Sequence, residues 1–124
     1  MTEQEQSIVV EAREILARYI NRNSVLNSWQ AVLDYCAVSV RGDVERFHVL
    51  FLDRGNRLIA DEQVALGTVD HVPVYPREVV KRALELHASA LILCHNHPSG
   101  NPEPSQADID MTRKIGEACD VLGI

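Results

Sequence analysis

Six consecutive residues, His95-Asn96-His97-Pro98-Ser99-Gly100, hold the densest chemistry in this chain. Two histidines separated by one residue on an extended backbone point to the same side. At the C-terminal end of a strand their imidazoles can converge on one cation, and imidazole is a common zinc ligand. Asp108 follows, three residues after Ser105, in what reads as the first turn of a helix. The loop between them, punctuated by Gly100, Pro102 and Pro104, is long enough to return the Asp108 carboxylate to both rings. Two nitrogens and one carboxylate oxygen leave a fourth position for water, the arrangement of a catalytic zinc and not of a closed structural one. Each half also has a plainer reading. H-x-H alone is a weak metal signal. Ser105-x-x-Asp108 alone reads as a capping box, in which the acid merely satisfies the backbone N–H of the cap. The two together, in the order strand, H-x-H, loop, Ser-x-x-Asp, helix, favour a metal site.

The elements that must position these residues are legible from periodicity. Apolar residues alternate with polar ones at helical spacing through Ile8, Val9, Ala12, Ile15, Leu16, Tyr19 and Ile20, which predicts an amphipathic first helix ending in the polar loop Asn21–Ser24. A shorter helix opens with Asn27 or Ser28 as N-cap, carries Trp29, Val32, Leu33 and Cys36, and breaks at Arg41-Gly42-Asp43. Phe47–Leu52 and a second stretch from about Arg57 towards Leu66 flank the turn signal Asp53-Arg54-Gly55-Asn56 and predict a β-hairpin. Gly67–Tyr75 reads as extended. Pro76 suits the first turn of a helix running to about His87, with Val80, Ala83 and Leu84 inward and Arg77, Glu78, Lys81 and Glu85 outward. Ala90–Cys94 is apolar at every position, as in a strand covered on both faces. The last helix opens at Ser105, with Met111, Ile115, Ala118 and Leu122 as its stripe and Gly123 as its stop. A hairpin, a helix, a buried strand and a final helix define an α/β class: a mixed sheet with helices packed against it.

Within that frame Asn96 projects away from the metal and bonds nearby backbone, because alternate strand residues face opposite ways. Cys94 lies on the side opposite His95, in the core. His48, His71 and His87 have no ligand spacing and read as ordinary surface or satisfied histidines.

Composition narrows the function. The chain has 124 residues, one domain's worth. Lys plus Arg number 12 against 18 for Asp plus Glu, a net charge of -6, so there is no bulk attraction to a phosphate backbone or an anionic membrane. Arg77, Lys81 and Arg82 are interleaved with Glu78 and Glu85, which is a solvated helix face and only a weak nucleic-acid signal. No apolar run approaches a bilayer span, and MTEQEQ lacks the basic and apolar regions of a secretory signal. Three cysteines (Cys36, Cys94, Cys119) without a C-x-x-C pair read as reduced thiols in a cytoplasmic protein.

The spacing H-x-H-x(7)-S-x(2)-D resembles the signature of the JAMM metalloprotease domain, also called MPN or JAB. Within that superfamily, HNHPSGNPEPSQADID, preceded by VYPREVVKRALELHASALILC, is similar to the bacterial RadC family, closely from about Glu45 to the end and more loosely back to the first helix. The resemblance implies a cytidine-deaminase-like α/β fold with a mixed sheet flanked by helices. It implies one zinc ion held by His95, His97 and Asp108, and a glutamate at the start of the hairpin acting as general base on the water. By position that is Glu45, with Glu62 on the partner strand in reserve; the residues alone rank Glu45 no higher than Glu62 or Glu78. Residues 1–24 then form a helical lead-in and 25–124 the JAB/MPN domain. The family's domain continues past the motif helix with further strand sequence, so a shortened C-terminal strand is expected.

The chemistry implied is hydrolysis of an amide bond in a peptide or protein substrate, as a metallopeptidase or isopeptidase. Ser105 would hydrogen-bond the developing oxyanion. Two readings of another class compete with it: a DNA-repair-associated accessory domain, from the traditional label of RadC proteins, and a metal-binding scaffold without turnover. The literal string His-Asn-His is not an HNH nuclease motif, whose three letters are spread along a ββα element. A zinc deaminase is excluded because H-x-E and P-C-x-x-C are both missing.

Overall fold

The computed structural model describes residues 2–19, 25–40, 44–66, 74–101 and 103–124. Their order is α1 (Glu3–Tyr19), α2 (Trp29–Ser39), β1 (Arg46–Leu52), β2 (Leu58–Leu66), α3 (Pro76–Glu85), β3 (Ala90–His95) and α4 (Gln106–Val121). The expected loop Asn21–Ser24, the break at Arg41-Gly42-Asp43, the extended run through Pro73 with His71, and the inward side chains of Ile15, Leu16, Tyr19 and Ile20 lie outside the described residues.

β1 organises the fold because it is apolar on both faces. It lies at the centre of a three-stranded sheet of order β2-β1-β3 and pairs antiparallel with both neighbours. A mixed sheet requires a parallel neighbour as well, and the described strands contain none. Phe47, Val49 and Phe51 of β1, with Leu91 and Leu93 of β3, face α3 and α4 and pack on Val79, Ala83, Ile115 and Cys119. Leu50 and Leu52, with Ala90 and Ile92, face α2 and pack on Val32, Tyr35 and Leu26. The strand period of two therefore sorts one continuous apolar run into two cores, giving an α/β sandwich with the sheet in the middle. Val49, Leu50 and Phe51 are fully buried.

Local chemistry explains the joints. The Asp53 carboxylate accepts from the backbone N–H groups of Gly55 (2.8 Å) and Arg57 (3.0 Å), and Asn56 adopts a left-handed φ of 59°, so the hairpin turn forms where the sequence signals it. The Ser28 hydroxyl caps α2 by accepting from Ala31 N–H at 3.1 Å. Pro76 occupies the first turn of α3, as expected, and Gly123 ends α4 at φ 73°.

Side-chain orientation differs from expectation at several points. On α3 the buried residues are Val79 and Ala83, with Val80 only partly buried and Leu84 half exposed. The adjacent pair Val79-Val80 admits two registers for the stripe, and packing on β1 selects the first. On α4 Cys119 is buried beside Ile115, while Leu122, past the last turn, is exposed. Trp29 and Leu33 of α2 face outward and Tyr35 takes the inward place. Every position of β3 is half-buried, because this strand is the sheet's edge among the described residues; its alternate residues do enter both cores.

Candidate metal centre

β1 and β3 run side by side with Phe47 opposite His95. His95 follows the parity of Leu91 and Leu93 and therefore lies on the α4 face. Its ring sits 5.8 Å from that of Phe47 and 4.9 Å, edge-on, from that of His97. The loop after Pro98 returns the chain so that the first turn of α4 lands against both rings. Asp108 Oδ1 is 3.1 Å from His95 Nδ1, and Oδ2 is 3.3 Å from His97 Nε2. On the other side Glu45, immediately before β1, places Oε2 3.8 Å from His95 Nε2. His95, His97, Asp108 and Glu45 are each largely withdrawn from water, and the first three line a small cavity of about 130 Å³ with Phe47, Leu93, Pro104 and Thr112.

The donor set fits a cation. Donor atoms of Glu45, His95 and His97 lie within 4.8 Å of one another. Asp108 stands outside that trio because His95 turns Nδ1 to Asp108 and Nε2 to Glu45, so no single nitrogen of the ring faces both acids. His97 Nδ1 is 2.8 Å from the Asn101 carbonyl, which can only accept, so this nitrogen carries the hydrogen. His97 Nε2 then presents a lone pair to a carboxylate oxygen. Two acceptors at 3.3 Å repel unless a proton or a metal cation comes between them. His95 shows the same pattern: with Nδ1 hydrogen-bonded to Asp108, its Nε2 is buried without a hydrogen-bond partner among the described residues. An orphaned buried nitrogen facing a carboxylate is what a ligand looks like without its ion.

Asp108 is held as a carboxylate. Burial pushes its carboxyl up, but the backbone N–H and hydroxyl of Ser105 and the two nearby imidazoles outweigh this and leave it below the ordinary value. The capping box is also present: Ser105 N–H donates to Asp108 Oδ2 at 2.8 Å, and Ser105 Oγ accepts from Asp108 N–H at 3.1 Å. Asp108 thus completes the cap with one oxygen, which also lies near His97, and turns the other to His95. Ser105 itself is exposed and does not line the cavity.

The two glutamates separate cleanly. Glu62 is gripped by Arg82, whose Nε lies 2.8 and 2.9 Å from its two oxygens and whose Nη2 lies 2.7 Å from one of them. Glu45 borders the histidines. Asn96 bonds backbone, accepting from Arg46 N–H at 2.6 Å and donating to the Val44 carbonyl at 3.1 Å. His48 is more than a surface residue: its Nδ1 lies 2.7 Å from Asp61 Oδ1, and Tyr35 donates to Asp61 Oδ2 at 2.7 Å, on the α2 face of the sheet. His87 is exposed beyond α3 with φ 55°. The Asn101 carbonyl on His97 had no sequence signal, since backbone groups leave no residue type to read.

A sheet between helices, with histidines at a strand end and an acid from the following helix, defines a JAB-type domain. The RadC-like JAB domain family matches residues 26–124, and the chain belongs to that family. It is 63% identical over 123 residues to a UPF0758 protein of Rhodobacter capsulatus, covering 98% of this chain and 58% of that protein. It is also 63% identical over 109 residues to a UPF0758 protein of Ruegeria pomeroyi, covering 87% of this chain and 48% of that one. The chain thus spans about half the length of the curated relatives it matches. Among the described residues no helix is long and apolar enough to cross a membrane.

Proposed function

We propose that this chain is a zinc-dependent metallopeptidase or isopeptidase domain, with His95, His97 and Asp108 holding one zinc ion and Glu45 acting as general base. The observation that carries the reading is the convergence of donor atoms of Glu45, His95 and His97 within 4.8 Å of one another, with the His95 Nε2 buried and unpartnered among the described residues and Asp108 against both rings. Two imidazoles and one carboxylate suit zinc best among the common divalent ions. When bound, zinc polarises the scissile carbonyl and brings the pKa of a coordinated water to about 7.

The chain's own residues do the rest. Glu45 Oε2 takes a proton from the attacking water and returns it to the leaving amine. The Asn101 carbonyl fixes the tautomer of His97, which keeps its Nε2 available to the ion. Ser105 Oγ accepts from Asp108 N–H, and its hydroxyl would turn from the Asp108 carboxylate to donate to the oxyanion. The substrate class is a peptide or protein, cleaved in the cytoplasm. Residues 25–124 form the catalytic domain behind the helical lead-in 1–24.

The test is metal content after zinc loading, beside that of His95→Ala. One zinc per wild-type chain and near none in the variant is expected; equal stoichiometry overturns the ligand assignment. Zinc-dependent cleavage of a peptide mixture, read by mass spectrometry, is expected to disappear in Glu45→Gln while zinc is retained.

A further inference from the structure

We infer that Asn96, the residue between the two histidines, is the positioning residue for Glu45; this rests on the reading of Glu45 as the base. Strand parity, continued one residue past β3, turns Asn96 away from the side shared by His95 and His97. What it holds is the backbone on both sides of Glu45. Its Oδ1 accepts from the N–H of the peptide that follows Glu45, at Arg46, 2.6 Å away. Its Nδ2 donates to the carbonyl of the peptide that precedes Glu45, at Val44, 3.1 Å away. Its own N–H reaches the Arg46 carbonyl at 3.4 Å.

Both peptide planes flanking residue 45 are therefore clamped by one side-chain amide, and their orientation sets the direction of the Glu45 Cα–Cβ bond. The sheet does not do this unaided. Glu45 precedes the first residue of β1, and the β1–β3 ladder begins at Phe47 opposite His95. Val44 on its other side is exposed. The clamp thus ties the carboxylate to the one segment that carries both rings. Its chemistry explains the residue type: bridging an N–H and a carbonyl takes an acceptor and a donor in one short planar group. Asp lacks the donor and Ala lacks both. A base displaced by 1 Å loses much of its effect even when every reacting group is present.

The experiment uses the intact chain with a selective ¹³C label at the Glu45 side-chain carboxyl and Zn²⁺ as the probe. In the wild type, zinc uptake shifts the Glu45 carboxyl resonance. In Asn96→Ala one zinc per chain is still bound, with affinity within about tenfold of wild type because no zinc ligand is removed, and the Glu45 response is lost. A mere loss of strand-end stability lowers the melting temperature but leaves the response of the folded fraction intact. Asn96→Asp, which keeps the Arg46 bond and loses the Val44 bond, serves if the alanine variant does not fold, and its response is expected to be weakened. A wild-type response in the folded variant overturns the positioning role, as does loss of zinc to the extent seen in His95→Ala. A wild-type chain that takes up no zinc overturns the hydrolase reading itself and this inference with it, an outcome distinct from the other two.

Discussion

Ser105 caps α4; the proposed function gives the same hydroxyl a second task, and substitution separates the two. Removing an N-cap side chain costs about 1 kcal/mol of stability. Removing an oxyanion donor costs about 3 kcal/mol of activation free energy, roughly a hundredfold in turnover. For Ser105→Ala both losses are expected, the first read by urea unfolding and the second by turnover per folded molecule in a zinc-dependent peptide assay. Turnover unchanged beside the stability loss would leave Ser105 a cap only. At this scale the sequence exposes side chains that carry a spacing and hides contacts made through backbone. His95, His97 and Asp108 could be picked out because their types and intervals are rare together. The Asn101 carbonyl that orients His97 could not, and Glu45 could be set above Glu62 only through family resemblance. Their difference is tertiary: α3 brings the Arg82 fork to Glu62, while Glu45 borders the rings.

Elements were readable in type and less so in rotation. Periodicity locates α3, yet a helix carrying Val79, Val80, Ala83, Leu84 and Leu86 offers more than one apolar stripe, and only the sheet decides which is used. Val79 is buried at 3% exposure and Leu84 stands at 52%. Val79→Ala is therefore expected to lower unfolding stability by about 2 kcal/mol. Leu84→Ala is expected to stay within about 0.5 kcal/mol of wild type. Urea titrations of the two variants beside wild type check this, and equal losses would place the inward face of α3 on Leu84 as well. The same logic covers β3, where an unbroken apolar run gives no hint that the strand lies at the edge of the described sheet.

At the scale of the whole molecule the two faces of the sheet carry separate polar networks. His95 with Asp108 lies on the α4 face, and Tyr35, Asp61 and His48 lie on the α2 face. Burial pushes the Asp61 carboxyl up, but hydrogen bonds from the His48 ring and the Tyr35 hydroxyl overcome it, and the group ends below its ordinary value. A depressed carboxyl contributes stability above its unfolded pKa of about 3.9, and that contribution is lost as pH falls through the lower folded value. Asp61→Asn is accordingly expected to cost about 2 kcal/mol near neutrality, the range for a hydrogen-bonded charge. The wild-type and variant curves should draw together as pH falls below about 3.9 and meet only below the depressed folded value, where the wild-type carboxyl protonates in the folded chain too.

The zinc of the proposed function would act on the other face. At a free concentration 100 times its Kd, a ligand specific to the folded chain adds about 2.7 kcal/mol. Because the two networks share no partner, their effects should add: Asp61→Asn keeps the full zinc gain, and His95→Ala loses the gain while retaining the acid dependence set by Asp61. Urea unfolding from pH 3 to 7, with zinc present in the neutral arm and absent throughout the other, measures both terms on one set of proteins. An interaction beyond about 0.5 kcal/mol between the two substitutions would mean that β1 and β3 transmit strain from one face to the other, and that the cation site answers to the state of Asp61.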